Sequence, residues 1–227
     1  MLFLQFSNIY EAGKDFREKG EIRIMVEQFQ KDLVAARHAE AIVHKYFSLL
    51  DKEHKFTNVA EDPEYFYKGD VLATDNSGNR IFIEVKDDKR IADTGNILCE
   101  ENVYYHSSDY LGRGNMQSDS DIYCVVSQPE SKIYVFDFKK LKEYYKVLGV
   151  YKEIPHADQT TQCYLLPLWV AKKYDILIGT IDYSGETPVG SKYSYFADQL
   201  EKKTKRAIEN KKWLEYVSQF KDGDWLH

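Results

Sequence analysis

Residues 22–50 carry apolar side chains at steps of three and four positions, the period of an α-helix with one buried face. These side chains belong to Met25, Phe29, Leu33, Ala36, Ala39, Val43, Tyr46, Phe47 and Leu50. An apolar face of this length has to be covered by other elements of the chain. The pattern therefore predicts a long amphipathic helix that packs against a core built elsewhere in the sequence.

The segments after this helix alternate between the patterns of strands and helices. Short runs rich in β-branched and aromatic residues predict strands at 55–60, 67–74, 80–87, 97–106, 121–127, 132–138 and 176–183, and helical periodicity returns at 139–148 and 192–220. At 227 residues the chain suits one hydrophobic core better than two. We predict a single α/β domain over residues 1–227, with a core at about 22–140 and a C-terminal elaboration at about 150–227.

Charge and composition limit the classes of function. The formal net charge is -6, so a nucleic-acid partner has to be held by a local basic surface or through metal ions. No apolar run approaches the roughly 20 residues that cross a bilayer, which predicts a soluble, cytoplasmic protein without membrane contact. The three cysteines form no C-x-x-C pair, which disfavours a thiolate zinc site and favours buried thiols.

The polar stretch 75–79 separates two strand patterns and predicts a hairpin centred on residue 77. In that register Asp70 lies opposite Glu84, with their Cα atoms about 4.5–5.5 Å apart, and Lys86 shares their face. Carboxylates directly opposite each other repel, so the pair needs a cation. Asp70, Glu84 and the backbone carbonyl of Val85 would bind Mg²⁺ or Mn²⁺, with water and substrate phosphate completing the shell.

These groups are the parts of a phosphodiester hydrolase, because such a metal polarises a phosphoryl oxygen while Lys86 orients or deprotonates the attacking water. Asp70, thirteen further residues and then Glu84-Val85-Lys86 stand in this order in the sequence. The arrangement resembles the D, spacer, E-x-K pattern of the PD-(D/E)XK nucleases, including phage-type members. The resemblance implies a restriction-endonuclease-like fold, which is a mixed central β-sheet flanked by helices, and a metal-dependent endonuclease that hydrolyses DNA.

The resemblance also gives a role to the long helix before the hairpin. In many PD-(D/E)XK nucleases a glutamate on the first core helix joins the metal site, and Glu40 is the position that matches. Glu40 shares a helical edge with Val43 and Phe47, so it is predicted to point inward and to complete or tune the site. Two features depart from the family pattern: Gly69 replaces the name-giving proline, and no helix is evident between the Glu84 strand and the next core strand.

Contacts with nucleic acid are predicted at two places. Gln117 and Ser118 precede a strand, and Lys202, Lys203 and Arg206 lie along the predicted C-terminal helix. Acidic residues alternate with the cations of that helix, so a solvated face of i,i+4 ion pairs is the alternative interpretation. A homodimer is a further expectation, since many nucleases of this type dimerise in order to cut both strands.

Three alternatives stay open at this point. Asp70, Glu84 and Lys86 are also explained as the solvent-facing side of an ordinary hairpin. A second acid-x-Lys tripeptide at 137–139 runs straight into a helix, where Asp137 suits an N-cap. A nuclease-like scaffold without catalysis, which binds nucleic acid or inhibits a partner protein, is the alternative function.

Overall fold

The long helix extends over Glu21–Leu50, as the periodicity predicts, and is labelled α1. The computed structural model describes residues 21–65, 67–106, 108–156, 158–185 and 189–190, with side chains from residue 30 to residue 185 in those ranges. The predicted helix at 192–220 lies outside the described residues, and so do Lys202, Lys203 and Arg206.

Strands and short helices alternate after α1. In chain order they are β1 (His54–Asn58), β2 (Val71–Asp75), β3 (Arg80–Asp87), α2 (Ile91–Thr94), β4 (Asn96–Tyr105), β5 (Tyr110–Arg113), β6 (Ile122–Ser127), β7 (Lys132–Asp137), α3 (Phe138–Leu148), β8 (Val150–Pro155), β9 (Gln159–Pro167), α4 (Leu168–Lys173), β10 (Leu177–Asp182) and β11 (Val189–Gly190). Every strand and helix predicted within the described ranges is confirmed, with boundaries shifted by a few residues.

Seven strands form the larger of two sheets, in the order β1-β2-β3-β6-β7-β10-β11. β3 and β6 run parallel, whereas the other neighbouring strands of this sheet run antiparallel. The helix α1 packs against β1, β2, β3 and β6, and α3 and α4 contact strands of both sheets. The chain is therefore a mixed α/β structure with a mixed central sheet flanked by helices, which confirms the predicted fold class.

The β2–β3 hairpin has the register that the sequence predicts. Leu72 pairs with Phe82 and Thr74 with Arg80, on either side of a tip at 75–79. The carboxylate of Asp75 closes the tip, because its Oδ1 accepts hydrogen bonds from two backbone N–H groups of the tip at 2.8 Å each. The hairpin thus forms from local signals and presents the even-numbered side chains of β3 on one face.

The connection from β3 to its parallel neighbour β6 runs through a second sheet. A parallel pair needs a crossover of a dozen or more residues, and a helix is its usual content. Here the crossover contains the four-residue helix α2 and then β4 and β5, which belong to a four-stranded sheet in the order β5-β4-β9-β8. This arrangement explains why the sequence shows no long helix after the Glu84 strand.

The main core lies between the two sheets and under α3 and α4. Its buried members come from both sheets and both helices, and they include Ile97, Cys99, Tyr123, Val125, Phe136, Phe138, Leu141, Tyr145, Leu166, Val170, Ala171 and Ile176. The opposite face of the large sheet carries Val71, Ala73, Ile81 and Ile83, all fully buried, on the side of α1. All three cysteines are buried, as predicted.

Residues 150–173 contain elements that the sequence analysis did not assign. The apolar run at 164–171 has neither the period of a strand nor that of a helix, because it is divided between the end of β9 and the start of α4. β8 is an exposed edge strand whose side chains are almost all in solvent, so it lacks the alternation of a half-buried strand. Within the described ranges, no helix is long and apolar enough to cross a membrane.

Asp137 caps α3, and its removal tests the second acid-x-Lys tripeptide. Its Oδ1 accepts a hydrogen bond from the backbone N–H of Lys140 at 3.1 Å. We expect Asp137→Ala to lower the free energy of unfolding by about 1 kcal/mol in urea titrations, because an N-cap is lost, and Asp137→Asn to retain most of it. A nuclease activity that disappears in a folded Asp137→Asn variant would contradict a purely structural role.

Candidate active site

Asp70 lies just before the first residue of β2, at the point beyond which β3 pairs with β6 but no longer with β2. The β2–β3 ladder ends with the pair of Val71 and Ile83, so the rest of β3 has no β2 residue beside it. On this open side the backbone N–H of Val85 donates to Asp70 Oδ2 at 2.7 Å. The carboxylate of Asp70 therefore takes the place of the missing strand.

The predicted pairing of Asp70 with Glu84 needs one correction. The backbone N–H of Asp70 donates to the carbonyl of Ile83 at 2.8 Å, which moves Asp70 out of ladder register with Glu84. The cause is Gly69, which has a φ of 136° and passes so close to β3 that a Cβ would lie 2.8 Å from the Ile83 oxygen. Proline fixes φ near −65°, so this backbone excludes the residue that the family pattern has at position 69.

Asp70 and Glu84 nevertheless share one partly desolvated site. Both side chains are half-buried. Burial raises the pKa of Glu84 to about 7, although a hydrogen bond from Ser118 and the charge of Lys86 lower it. Burial and then the charge of Glu84 raise the pKa of Asp70 well above its ordinary value. A solvent-facing hairpin surface would leave both pKa values near their ordinary range.

Lys86 forms an ion pair with Glu100, a residue to which the sequence gives no role in catalysis or binding. Lys86 Nζ lies 2.9 Å from Glu100 Oε1, and their side chains are 31% and 16% exposed. Burial lowers the pKa of Lys86, but the charge and hydrogen bond of Glu100 more than offset it, so the pKa is raised. Glu100 is on β4, and only the crossover through the second sheet brings it to Lys86. The separation of Lys86 and Glu100 in the sequence does not predict this contact.

Glu40 points inward from α1, as predicted, and is only 8% exposed. Its Oε2 accepts a hydrogen bond from Asn58 Nδ2 at 3.0 Å. Burial raises the pKa of Glu40, and its negative charge in turn raises the pKa values of Asp70 and Glu84. The structure thus places Glu40 within electrostatic range of both carboxylates, and Asn58 orients it.

Ser118 and Lys142 border the site from the side of β6. Ser118 donates a hydrogen bond towards Glu84, and its backbone carbonyl accepts one from Lys142 Nζ at 2.6 Å. Burial lowers the pKa of Lys142, while the charges of Asp119, Glu84 and Asp121 oppose that shift. Lys142, on α3, is a cation near Glu84 that the sequence analysis did not identify, because the contact joins distant elements.

The side-chain amide of Gln117 forms hydrogen bonds to other residues of the chain through both its nitrogen and its oxygen. Its Nε2 donates to the carbonyl of Glu101 at 2.6 Å and to Asn102 Oδ1 at 2.9 Å. Its Oε1 accepts a hydrogen bond from Arg113 Nε at 3.0 Å. Gln117 therefore ties the 3₁₀ turn at Asn115–Gln117 to β4, and its contact with nucleic acid stays a prediction.

Asp70, Glu84 and Val85 provide a set of oxygen atoms on the open side of β3. The N–H and C=O of one strand residue point to the same edge, so the Val85 carbonyl opens beside Asp70. No three His, Cys, Asp or Glu side chains within the described ranges are arranged to hold a metal ion by themselves. Mg²⁺ usually takes one or two carboxylates and keeps several waters, so these donors fit Mg²⁺ or Mn²⁺.

Comparisons with known proteins add little to this site. No protein-family model matches the chain, and no curated protein matches it by sequence. Among solved structures, the chain is similar to the bacterial homing endonuclease I-Ssp6803I, with 15% identity and a TM-score of 0.37, over 49% of this chain and 72% of that chain. A similarity of this extent does not define a function, which has to be inferred from the side chains.

The raised pKa of Glu84 predicts how stability depends on pH without metal. At low pH Glu84 is protonated in both the folded and the unfolded state. As the pH rises above the ordinary pKa of a glutamate, the unfolded chain loses this proton while the folded chain keeps it, so the free energy of unfolding falls until the pH passes the folded pKa of about 7. In EDTA, the Tm of the wild type should fall by several degrees relative to Glu84→Gln between about pH 5 and about pH 8. The exposed Glu143→Gln is the control, and parallel curves for wild type and Glu84→Gln would contradict the raised pKa.

The close approach at Gly69 predicts that even alanine is not tolerated there. Gly69→Ala has to hold a positive φ and to displace both the Ile83 carbonyl and Ser120 Oγ, which we expect to cost about 1–3 kcal/mol in urea titrations. Gly78→Ala is the matched control, because Gly78 also has a positive φ but has open space where the Cβ of an alanine would lie. Equal losses in the two variants would show that the contact with β3 is unimportant.

Proposed function

We propose that this chain is a Mg²⁺- or Mn²⁺-dependent nuclease that hydrolyses phosphodiester bonds of DNA in the cytoplasm. The observation that carries the proposal is the shared, desolvated site of Asp70 and Glu84 with Lys86 on the same strand face. Carboxylates in this state gain most from a bound cation, because burial and mutual repulsion both penalise their bare charges. We propose DNA as the substrate because the pattern resembles that of the PD-(D/E)XK nucleases.

In this proposal Asp70, Glu84 and the Val85 carbonyl hold the metal, and Glu40 tunes the site through its charge. The bound ion supplies Lewis-acid polarisation of a non-bridging phosphoryl oxygen. Lys86 orients the attacking water and stabilises the charge that develops at the phosphorus centre. Water adds to phosphorus, the bond to one bridging oxygen breaks, and the products are a phosphate monoester and a free hydroxyl group.

The ion pair with Glu100 fixes where Lys86 can act. A lysine side chain has many rotamers, and one hydrogen bond at 2.9 Å selects those that reach Glu100. The charge of Lys86 then lies next to Glu84, whose pKa it lowers. Glu100 is therefore a positioning residue in this proposal, and Asn58 has the same role for Glu40.

A module that binds without cleaving is the second candidate function. The ion pair of Lys86 and the hydrogen bond of Glu40 favour it, because each group already has a partner within the chain. Such a scaffold keeps Glu40, Glu100 and Lys86 satisfied in the absence of a metal. The two candidates differ in whether the protein needs a divalent cation and in whether DNA is cut.

Nicking and linearisation of supercoiled plasmid test the proposal directly. The purified wild type should cut plasmid in Mg²⁺ or Mn²⁺ and should not cut it in EDTA. Glu84→Gln and Lys86→Ala should each lower the rate by at least about 100-fold, while the exposed Glu143→Gln and Lys139→Ala should cut like the wild type.

A second measurement separates metal binding from catalysis. Mg²⁺ should raise the Tm of the wild type at about pH 8 and should not raise that of Glu84→Gln, because a ligand stabilises only the state that binds it. Cleavage that survives both site substitutions would contradict the assignment of the site. A wild type that cuts neither plasmid nor single-stranded DNA would favour the binding module.

A further inference from the structure

Next to the carboxylates stands a group of aromatic and basic side chains that the proposed function does not use. We define the stacking wall as Tyr65, Tyr67, Lys68, Phe82 and Arg113. We propose that the stacking wall binds single-stranded nucleic acid and stacks an unpaired base on Tyr67. This inference rests on the proposed function, because it specifies whether the substrate of the nuclease is single-stranded. Its binding test does not depend on cleavage.

The stacking wall begins two residues from the site. Phe82 precedes Glu84 on the same face of β3, and the ring of Tyr65 packs against Phe82 with centroids 5.7 Å apart. Lys68 Nζ lies 5.6 Å from the centre of each of these two rings. Because Phe82 and Glu84 are two residues apart on one face of β3, the Lys68 ammonium over the Phe82 ring lies on the Glu84 side of the sheet.

Tyr67 and Arg113 form the outer part of the stacking wall. Tyr67 is 51% exposed, and the guanidinium carbon of Arg113 lies 4.9 Å from its ring centre. Gln117 fixes that guanidinium, because its Oε1 and its backbone carbonyl accept hydrogen bonds from Arg113 Nε and Nη2 at 3.0 and 2.8 Å. An aromatic ring backed by a fixed, planar cation is organised for stacking before any ligand arrives.

The cations here keep their charge available for a polyanion. No described acidic side chain forms an ion pair with Lys68, Arg113 or the neighbouring Lys142. In contrast, Lys86 and Lys146 are each paired with a glutamate. In a chain with a formal net charge of -6, phosphates have to be held by local cations of this kind.

The geometry favours single strands over duplex. In a duplex the faces of the bases are covered by their neighbours, whereas a single strand can turn a base onto an aromatic side chain. Tyr67 offers a half-exposed ring on which such a base can stack. The substrate is therefore a single strand or an unpaired segment next to the bond that is cut.

Fluorescence anisotropy in EDTA tests this inference without cleavage. The probe is a labelled oligothymidylate of about 16 nucleotides, the upper range of sites for single-strand binding folds, compared with a duplex of equal length. Tyr67→Leu keeps an apolar side chain but removes the ring, and it should weaken binding of the oligothymidylate by about 5- to 150-fold. Tyr67→Phe keeps the ring and should bind like the wild type.

A matched control comes from the residues at the end of α4. Tyr174 is 45% exposed, and Lys173 Nζ lies 5.4 Å from its ring centre, so this pair is also an exposed tyrosine beside a cation. Tyr174→Leu should bind the oligothymidylate like the wild type. Equal urea midpoints for the wild type, Tyr67→Leu and Tyr67→Phe would show that a loss of binding is not a loss of folding.

Each outcome separates the two proposals. Weaker single-strand binding by Tyr67→Leu, with no cleavage of plasmid or of single-stranded DNA by the wild type, would support the stacking wall and overturn the nuclease. Plasmid cleavage together with unchanged binding by Tyr67→Leu would overturn the stacking wall and support the nuclease. Tighter binding of the wild type to duplex than to oligothymidylate, or no binding to oligothymidylate, would also overturn the inference.

Discussion

The hydrogen bond from the Val85 N–H to the carboxylate of Asp70 holds the candidate active site together. β3 extends past its neighbour β2, and a partly buried N–H on that open side would cost free energy without an acceptor. Asp70 supplies the acceptor only because the backbone at Gly69 turns out of strand geometry and brings it against Ile83. The same contact fixes Asp70 beside Glu84, so the electrostatic character of the site follows from the way in which one strand ends.

The resulting site has more negative charge than the surrounding protein balances. When all groups are ionised, the four carboxylates of Glu40, Asp70, Glu84 and Glu100 face three described cations, which are Lys86, Arg37 near Glu40 and Lys142 near Glu84. Asp88, Asp119 and Asp121 add further negative charge around Lys86 and Lys142. The stacking wall carries the positive charges of Lys68 and Arg113 beside these carboxylates. A polyanion would be attracted to the stacking wall, and its phosphate would approach the carboxylates only when a cation is bound among them.

Local signals were sufficient to predict the parts of the site that lie on one hairpin and one helix. The tip at 75–79 sets the register of β2 and β3, so Asp70 and Glu84 could be brought together from spacing alone, and helical periodicity placed Glu40 inward. Glu100 and Asn58 could not be found in this way, because each contacts its partner only after distant segments pack. The second sheet was missed for a related reason: β8 is exposed, and the apolar run at 164–171 changes from strand to helix midway.

The crossover through the second sheet also orders the events of folding. The β2–β3 hairpin joins residues close in the chain, and such hairpins form within about 1–10 μs. β3 meets β6 only when a long loop closes, with Ile83 against Ile122, and non-local contacts of this kind are slow because chain entropy is lost first. Glu100 is inside that loop. The two carboxylates of the hairpin therefore come together early, and Lys86 acquires its partner late, so an incompletely folded chain has the acids of the site without the arrangement that would let them act.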